Sequence, residues 1–397
     1  MDYITMSDVD MDGKRVLVRE DFNVPMEEGR VGSDARIRAA VPTIRHALEK
    51  GAGVALLSHL GRPREGRCEE TFSLRPVARR LSELLDMPVA FHPHWLDGFP
   101  LAPGEVALCE NVRFNVGEKA DSEALGRRMA ALCDHFVMDA FGTAHRAHAS
   151  THAVARFAPM ACAGPLLHAE LATLGRALAS PARPVTAIVG GSKVSTKLPV
   201  LHALLDKVDT LILGGGIANT FLAAMGHDVA ASLHEPEFVA EAAAILTAAR
   251  ERGVRVPLPV DVVCATTLAP WACGVHRKPD GLRPGEMILD IGPETAALYA
   301  SIVHWSATVV WNGPVGVFEF EHFGEGTRVL AEAVAASAGF SIAGGGDTLA
   351  AVERFGVGQG ISYISTGGGA FLELLQGRPL PAVAMLAQRA AALATVA

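Results

Sequence analysis

The sequence predicts an α/β protein built from parallel sheets in two domains, and three observations lead to this fold class. Short runs rich in β-branched residues alternate from end to end with stretches rich in Ala, Leu and Glu, which is typical of repeated strand–helix–strand units. The chain has 397 residues, more than one hydrophobic core usually covers. Strands of the first part end on Arg, His and Asn, whereas strands of the second part end on glycines.

The strand ends indicate what each domain binds, because ligands of open parallel sheets lie at the carboxyl ends of the strands. Charged and amide side chains in the first domain suit a small, highly charged anion. Glycines in the second domain suit a phosphate chain that is held by backbone N–H groups. The strands of the first part are expected within "KRVLVREDFNVP", "GVALLSHLGRP", "GEVALCENVRF" and "HFVMDAFGTAHRA", and those of the second part within "VTAIVGGSKVS", "TLILGGGIANT", "VRVPLPVDVV", "TVVWNGPVGVF", "FSIAGGGDTLA" and "ISYISTGGGAF".

Two further segments need an assignment. Residues 164–184 open with Gly-Pro, repeat apolar residues at helical spacing and close on prolines, so they predict a helix that joins the two domains. Residues 295–318 form an uncharged run long enough to raise the question of a membrane span. Polar groups such as those of His304 and Asn312 would be unsatisfied in lipid, so this run is predicted to be a helix followed by a strand.

Composition excludes some classes of function. The net charge of −8 argues against a nucleic-acid or anionic-membrane partner, which would normally meet a basic face. The acidic N-terminus lacks the apolar core of a signal peptide. The six cysteines contain no C-x-x-C pair, so reduced thiols in a cytoplasmic protein are expected.

Three runs of glycines each follow an apolar strand. One such run could be an ordinary tight turn, but three together favour phosphate binding. None matches the dinucleotide-binding fingerprint, because another residue stands where the third glycine is required. The segment "GGSKVSTK" likewise lacks the P-loop spacing. The glycine pairs and the residues at the third position are Gly214 and Gly216 with Asn219, Gly344 and Gly346 with Leu349, and Gly367 and Gly369 with Leu372.

The second and third glycine runs carry additional chemistry. Asp347 and Thr348 follow the second run directly and offer a pair of hard oxygens suited to Mg²⁺ held together with nucleotide phosphates. The alternative for Asp347 is helix N-capping. The third run leads straight into an apolar-periodic helix, so its free N–H groups and positive dipole end would face an anion.

The segment "DAFGTAHRAHAS", residues 139–150, admits three interpretations from its residues alone. His145 and His148 could bind a metal on one helical face, with Asp139 as a third ligand. Alternatively, Arg146 presents its guanidinium to a phosphate or carboxylate, with the histidines as donors or packing residues. The segment could also be a merely polar surface loop.

Taken together, the motifs resemble those of the phosphoglycerate kinase family, in that family's order and over essentially the whole chain. With this resemblance, the arginine-centred interpretation of residues 139–150 is favoured over the metal site. The stretches that carry the resemblance are "DFNVP", "SHLGRP", "ENVRF", "DAFGTAHRAHAS", "GGSKVSTK", "WNGPVGVFE", "GGGDT" and "STGGGAFLELL".

The resemblance implies two Rossmann-like domains joined by an interdomain helix and hinge. Residues 1–168 would bind 3-phosphoglycerate or 1,3-bisphosphoglycerate, residues 169–378 the Mg-nucleotide, and residues 379–397 would form a tail that returns to the N-terminal domain. The implied reaction is reversible phosphoryl transfer between 1,3-bisphosphoglycerate and ADP, giving 3-phosphoglycerate and ATP in glycolysis and gluconeogenesis. Mg²⁺ is the implied cofactor, and a cytoplasmic monomer is expected.

The resemblance also implies roles for individual residues. Arg36, Lys197, Gly368 and Gly369 would stabilise the transferring phosphoryl group, with Asp347 holding Mg²⁺. Arg113 and Arg146 would bind the stationary phosphate of the substrate. The implied substrate-binding residues are Asp21, Phe22, Asn23, Arg36, His59, Leu60, Gly61, Arg62, Arg113 and Arg146, and the implied nucleotide-binding residues are Lys193, Lys197, Asn312, Glu319, Gly345, Gly346, Asp347 and Thr348.

Glu20 departs from the residue types common in this family before "DFN", and we expect it to add negative charge near the anion site. The acceptor in the ATP-consuming direction is a substrate carboxylate, which is ionised at neutral pH because its pKa is about 4. No general base is then needed, in agreement with motifs that supply cations and N–H donors.

Two rival functions differ in testable ways. A nicotinamide-dependent dehydrogenase is disfavoured by the missing dinucleotide fingerprint and would be revived by NADH binding. A non-catalytic nucleotide-binding relative is disfavoured because Arg36, Lys197 and Asp347 are all present.

Overall fold

The computed structural model describes residues 2–365 and 367–395. The chain divides into two compact units, Met1–Ala172 with Pro379–Ala397, and Thr173–Arg378. None of the helices in these described ranges combines the length and the apolar character needed to cross a membrane. The α/β class with parallel sheets is confirmed. The assignment of ligands to residues 1–168 and 169–378 stays a prediction.

The first unit contains a six-stranded parallel sheet with the order β5-β6-β4-β1-β7-β8. Its central strands are buried along nearly their whole length, as continuous apolar runs in parallel sheets are. Two strands of this sheet were not predicted, because Val89–His92 is a short, half-exposed edge strand and Met160–Ala163 consists largely of small residues. The two strands of the hairpin, which are two residues long each, were not predicted either. The strands are β1 (Arg15–Arg19), β2 (Met26–Glu27), β3 (Arg30–Val31), β4 (Gly53–Leu57), β5 (Val89–His92), β6 (Val106–Cys109), β7 (His135–Met138) and β8 (Met160–Ala163), with β2 and β3 forming a separate hairpin.

Helices cover this sheet through one apolar face each. In the first helix the buried residues Ile37, Ala40, Ile44 and Ala47 recur every three or four positions, which places them on one side. The last of these helices confirms the helix predicted for residues 164–184 and includes the point where the two units divide. The helices are α1 (Ala35–Glu49), α2 (Arg75–Leu85), α3 (Glu123–Ala130), α4 (Val154–Phe157) and α5 (Pro165–Ala179).

The second unit contains a five-stranded parallel sheet with the order β10-β9-β14-β15-β16 and a three-stranded antiparallel sheet with the order β12-β11-β13. The prediction of a parallel strand in "VRVPLPVDVV" is wrong. Pro257 and Pro259 lack the N–H that a ladder requires, and the strand that follows them is antiparallel. The strands are β9 (Val185–Val189), β10 (Thr210–Leu213), β11 (Val262–Ala265), β12 (Val275–Arg277), β13 (Met287–Ile291), β14 (Thr308–Asn312), β15 (Phe340–Gly344) and β16 (Tyr363–Ser365).

The helix and strand predicted within residues 295–318 are confirmed as α9 (Pro293–His304) and β14. The other helices of the second unit are α6 (Leu198–Leu204), α7 (Gly215–Ala224), α8 (Val239–Glu251), α10 (Glu325–Ala336), α11 (Gly346–Arg354) and α12 (Gly368–Leu375).

The chain closes with α13 (Pro381–Ala394), which packs on the first unit. Arg389 Nη2 donates to the carbonyl of Ala158 at 2.8 Å, and the N–H of Ala382 donates to Ala144 at 3.2 Å. Short 3₁₀ turns lie at Met6–Asp8, Glu70–Phe72, Val112–Phe114, Phe141–Thr143, Pro236–Phe238, Pro279–Gly281, Glu321–Phe323 and Gly358–Gly360, and a π-helical turn at Ala149–Ala153.

Candidate functional site

Neighbouring strands of the first unit end at the same level. Arg19 in β1 is in register with Leu57 in β4 and with Met138 in β7. The loops that follow these strands therefore leave the sheet side by side. They contain residues 20–25, 58–63 and 139–150, which include most of the predicted substrate-binding residues.

Hydrogen bonds tie the first two of these loops together. The N–H of Gly61 donates to Asn23 Oδ1 at 2.8 Å, and the N–H of Phe22 donates to Ser58 Oγ at 2.8 Å. Phe22 and Leu60 are buried, so they could offer a ligand only backbone groups. Their side chains anchor the loops in the core.

Four arginine side chains come together here, one from α1, one from the 3₁₀ turn at Val112–Phe114 and two from the loops themselves. Arg36, in the first turn of α1, donates to the carbonyl of Asn23 at 2.7 Å and lies 3.4 Å from the carboxylate of Asp21. Arg113 is buried and donates to the carbonyl of Gly61. Arg146 is half-buried, whereas Arg62 at the rim is exposed.

The charges in this cluster repel one another. Burial, together with the nearby charges of Arg146 and Arg19, lowers the pKa of Arg113 to about 10. Burial also lowers the pKa of His59 well below its ordinary value, and four arginines, Arg19 and Arg36 among them, act in the same direction. Several cations that lie close together despite their mutual repulsion indicate a binding site for a ligand with several negative charges.

A buried network supports this cluster, and sequence reasoning missed it. Arg19 is 1% exposed and donates from Nε to Ser150 Oγ at 3.0 Å. Glu118 is fully buried and accepts from the N–H and hydroxyl of Ser150 at 3.0 and 2.6 Å. The one available signal was a charged residue at the end of the apolar run "RVLVR".

The histidines of residues 139–150 lie among these arginines. His145 Nε2 accepts from Arg146 Nε at 3.1 Å. Burial and the nearby arginines lower the pKa of His148 to about 4, so it is neutral at pH 7. The metal triad does not fit, because Asp139 is 1% exposed and already accepts from Thr43 Oγ1 at 2.6 Å and Leu167 N at 2.9 Å.

Glu20 does not behave as expected from the sequence. Its side chain is 1% exposed and contacts Asp139, whereas the side chain of Arg19 contacts Ser150 and His59. Burial and the neighbouring Asp139 carboxylate raise the pKa of Glu20 well above its ordinary value. The expectation of added negative charge at the anion site is therefore wrong, because burial against Asp139 disfavours the charged form of Glu20.

In the second unit, backbone segments touch at the carboxyl ends of the strands. A Cβ at Gly190 would lie 1.8 Å from the carbonyl oxygen of Pro314, and one at Gly216 would lie 2.2 Å from that of Ser192. Glycine is required at both positions because the neighbouring backbone leaves no room for a side chain. The carboxyl edge of this sheet is therefore lined by main-chain groups.

Side chains around the end of β14 form a connected network. Lys197 Nζ donates to Asn312 Oδ1, and Asn312 Nδ2 donates to the carbonyl of Gly344 at 2.6 Å. Thr348 Oγ1 donates to the same carbonyl at 2.9 Å and accepts from the N–H of Gly313 at 2.8 Å. Burial lowers the pKa of Lys197 while nearby Asp347 opposes that shift.

The loop that carries the two predicted lysines is fixed by a residue that the sequence did not single out. Glu235 accepts from the hydroxyl of Ser195 at 2.6 Å and from its N–H at 2.8 Å. Lys193, two residues before Ser195, is exposed. Glu235 therefore holds the middle of the segment between Lys193 and Lys197.

Asp347 and Thr348 have different surroundings. The N-cap of α11 is Gly345, with φ of 104°, so the N-capping alternative for Asp347 is wrong. Asp347 is exposed, whereas Thr348 is buried and hydrogen-bonded on both sides. Of the two residues, Asp347 is the one whose oxygens are open to a ligand.

The third glycine run adjoins this loop. α12 begins at Gly368, and a Cβ built on Gly368 would lie 3.7 Å from the Cα of Gly345. Gly369 is the second residue of the helix. The first turns of α11 and α12 therefore begin close together, and both direct N–H groups to the carboxyl edge of the sheet.

The donor set around Asp347 fits Mg²⁺ delivered with a nucleotide. Among the described residues no group of three or more His, Cys, Asp or Glu could hold a metal ion. An exposed carboxylate next to a glycine loop with free N–H groups suits Mg²⁺, because this ion takes most of its oxygens from phosphates and water. Glu319, the predicted ribose ligand, is exposed in the loop after β14, where its carbonyl accepts from Arg354 at 3.3 Å.

Comparisons with known proteins agree on one family. The family model described as phosphoglycerate kinase matches residues 6–378. The chain is 59% identical over 389 residues to a phosphoglycerate kinase of Nitratidesulfovibrio vulgaris, covering 98% of this chain and 99% of that protein.

Solved structures of phosphoglycerate kinases are also similar. The Coxiella burnetii structure is 53% identical with a TM-score of 0.91, covering 98% of this chain and 100% of that one. The Pyrococcus horikoshii structure is 33% identical with a TM-score of 0.82, covering 98% of this chain and 99% of that one.

Proposed function

The chain belongs to the phosphoglycerate kinase family and catalyses reversible phosphoryl transfer between 1,3-bisphosphoglycerate and ADP, and we propose how its residues divide this task. The arginine cluster of the first unit binds 3-phosphoglycerate or 1,3-bisphosphoglycerate. The glycine-lined edge of the second unit binds ADP or ATP. The observation that carries the proposal is the group of mutually repelling cations around Arg113, which a polyanion would neutralise.

Within the first unit, Arg113 and Arg146 hold the stationary phosphate. Asp21, Asn23 and the loop from His59 to Arg62 hold the rest of the substrate. Arg36 faces the phosphoryl group in transfer, because its bonds to the 21–23 segment fix it beside the substrate-binding loop. His59 serves as a neutral hydrogen-bonding group, since its pKa is well below the ordinary range.

Within the second unit, Lys193 and Lys197 hold nucleotide phosphates and Glu319 binds the ribose. The segment Gly345–Thr348 and the start of α12 at Gly368 and Gly369 direct N–H groups to the phosphates. Asn312 acts through Lys197, to which it is hydrogen-bonded. Mg²⁺ would be held by Asp347 and would supply charge neutralisation on the nucleotide phosphates.

Phosphoryl transfer requires that the two substrates are aligned and that the negative charge on the transferring group is neutralised. In the ATP-consuming direction the nucleophile is the carboxylate of 3-phosphoglycerate, which is ionised at neutral pH. The residues therefore contribute cations and N–H donors that stabilise the charge of the transferring group. Neutral His59 and His148 are then not required as bases.

The experiment that tests the proposal has two parts. A coupled assay with 3-phosphoglycerate and MgATP measures turnover, and isothermal titration of the whole enzyme measures each substrate separately. Arg146→Ala should weaken 3-phosphoglycerate binding and leave ADP binding unchanged, whereas Lys197→Ala should do the reverse. Loss of ADP binding in Arg146→Ala alone would refute this division.

We further propose a cytoplasmic monomer. The six cysteines are all free, and four of them are buried, which suits a reducing compartment. Sedimentation equilibrium and fractionation of the source cells would test the two statements. A dimer or a membrane-bound fraction would contradict them.

A further inference from the structure

Glu20 and Asp139 form a buried pair of carboxyl groups that the proposed reaction does not use. They follow the neighbouring strands β1 and β7, whose last residues Arg19 and Met138 are in register. Each is 1% exposed, and their side chains are in hydrogen-bond contact. Ionised carboxylates can only accept hydrogen bonds, so a contact between two of them requires a proton.

The surroundings decide which partner carries the proton. Asp139 already accepts from Thr43 Oγ1 at 2.6 Å and from Leu167 N at 2.9 Å, which stabilise its ionised form. A Cβ at Gly164 would lie 2.3 Å from Asp139 Cγ, so this carboxylate is also fixed sterically. Glu20 is therefore the donor, in agreement with the raised pKa of its carboxyl group.

The same pair is connected to the substrate-binding loop through α1. Arg36 in the first turn of α1 bonds to Asn23 and pairs with Asp21, while Thr43 further along this helix bonds to Asp139. The helix is thus fixed to the ends of β1 and β7 at two points. Glu20 contacts Asp139 and directly precedes Asp21 in the chain.

We propose that Glu20 and Asp139 share one proton and form a positioning pair, which holds α1 and the start of α5 against the ends of β1 and β7. This inference deepens the proposed function and rests on it, since the loop being positioned is the one assigned to 3-phosphoglycerate. Loss of the proton places two buried anions in contact, which forces the two strand ends apart. Binding of 3-phosphoglycerate then weakens.

Other charged groups face the pair. Arg19 and Asp21 act on Glu20 from the positions directly before and after it in the chain, and Arg19 opposes the effect of Asp139. Arg19 donates a hydrogen bond to Ser150, so its charge offsets the effect of Asp139 on Glu20 only in part. The N–H groups of Leu166 and Leu167 at the start of α5 act on Asp139.

The first test detects the proton directly. In enzyme labelled with ¹³C at the glutamate carboxyl, one resonance should keep the chemical shift of a neutral acid at about pH 7, well above the ordinary glutamate pKa of about 4.3. That resonance should be missing in Glu20→Gln. A spectrum in which all glutamates are ionised at that pH would overturn the proposal.

The second test links the pair to substrate binding. Glu20→Gln keeps a donor to Asp139 without a dissociable proton, so above about pH 7 its KM for 3-phosphoglycerate should change only through other groups of the site, such as Arg113 with its pKa of about 10. The wild-type KM should rise several-fold more than that of Glu20→Gln as the pH increases, and Glu20→Ala should show a raised KM throughout. Glu49→Gln, an exposed carboxyl on α1, is the control and should follow the wild type.

The outcomes separate this inference from the proposed function. A wild-type KM with the same pH dependence as Glu20→Gln would overturn the positioning role, whatever the labelled spectrum shows. The assignment of 3-phosphoglycerate to the first unit would fail separately, through normal 3-phosphoglycerate binding in Arg146→Ala. Urea unfolding of each variant shows whether the fold is intact.

Discussion

Lys197 Nζ donates a hydrogen bond to Oδ1 of Asn312, the last residue of β14, and the other end of the Asn312 amide donates to the carbonyl of Gly344 at 2.6 Å. One amide thus connects the phosphate-binding lysine with the strand that leads into the Mg-nucleotide loop. Asn312 is 2% exposed, so this connection is made below the surface that a nucleotide would contact. Its role is to position Lys197.

We predict that Asn312→Ala raises the KM for ATP about tenfold, because a hydrogen bond to a charged group contributes about 1.5–3 kcal/mol. The Lys197→Met variant should show a larger increase in the KM for ATP. The double variant should show no larger increase than Lys197→Met alone. Thr247→Ala, an exposed residue of α8, serves as a control with unchanged kinetics. Additive effects in the double-mutant cycle would contradict a role through Lys197.

We predict opposite consequences for two glycine substitutions in the second unit. Gly346→Ala meets no atom within 4 Å, so the free energy of unfolding should be unchanged or slightly raised, whereas nucleotide binding should weaken because the methyl group enters the phosphate loop. Gly190→Ala should destabilise the protein by about 2 kcal/mol or more, since its Cβ would overlap the carbonyl of Pro314.

Urea unfolding and ADP titration measure the two effects. Gly281→Ala also has open space around it and lies away from the strand ends, so it is the matched control. Normal ADP affinity in a stable Gly346→Ala protein would remove this loop from the nucleotide site.

Local patterns in the sequence were sufficient for much of the fold and for the exposed part of the site. Alternating apolar runs located β1 and β14, and the glycine runs marked the edge around Gly345. The network beneath the arginines could not be found in this way. Arg19 and Ser150 are 131 positions apart, and their contact depends on which strands are neighbours and in what register.

The same reason explains the wrong expectation for Glu20. Its charge state depends on burial against Asp139, and no pattern near residue 20 contains that information. Edge strand β5 was missed because a short, half-exposed strand has little hydrophobic periodicity to detect.

We predict that 3-phosphoglycerate raises the pKa of His148 from its value of about 4. The arginines that hold this pKa down would be neutralised by the bound anion, which favours the protonated imidazole. Binding is then coupled to proton uptake, so affinity should increase as the pH falls toward the raised pKa. Histidine NMR titrations with and without 3-phosphoglycerate measure the shift.

His202, which pairs with Glu241 in the second unit, is the control, and its resonances should not respond to 3-phosphoglycerate. An unchanged or lower pKa for His148 in the complex would place the anion elsewhere.

We predict that activity depends on Mg²⁺ and on no tightly bound transition metal. Asp347→Asn should raise the Mg²⁺ concentration required for half-maximal activity, because an amide oxygen is a weaker ligand for a hard cation than a carboxylate. Treatment with a zinc chelator followed by Mg²⁺ should leave activity intact. Loss of activity that only zinc restores would instead support metal ligation by His145 and His148.

We predict that Arg36→Ala reduces kcat far more than it affects nucleotide binding. Arg36 is assigned to charge on the transferring phosphoryl group, and an interaction that strengthens only in the transition state lowers kcat when it is removed. Groups that stabilise charge in this way contribute about 3–4 kcal/mol, so kcat should fall roughly 10²–10³-fold. Arg146→Ala should instead act mainly on the KM for 3-phosphoglycerate, because the stationary phosphate is bound equally in both states.

Two companion variants make the test of Arg36 specific. Arg36→Lys should recover only part of the lost activity. An ammonium could replace Nη1 toward the carbonyl of Asn23 and the carboxylate of Asp21, but it lacks the remaining planar N–H donors that a guanidinium offers to a phosphoryl group. Arg38→Ala removes an exposed arginine from the same helix that pairs with Asp34, so it controls for loss of charge near α1 and should keep normal kinetics. If Arg36→Ala shows near-normal kcat with a raised KM for 3-phosphoglycerate, Arg36 anchors the ground state, and its place at the transferring phosphoryl group is wrong.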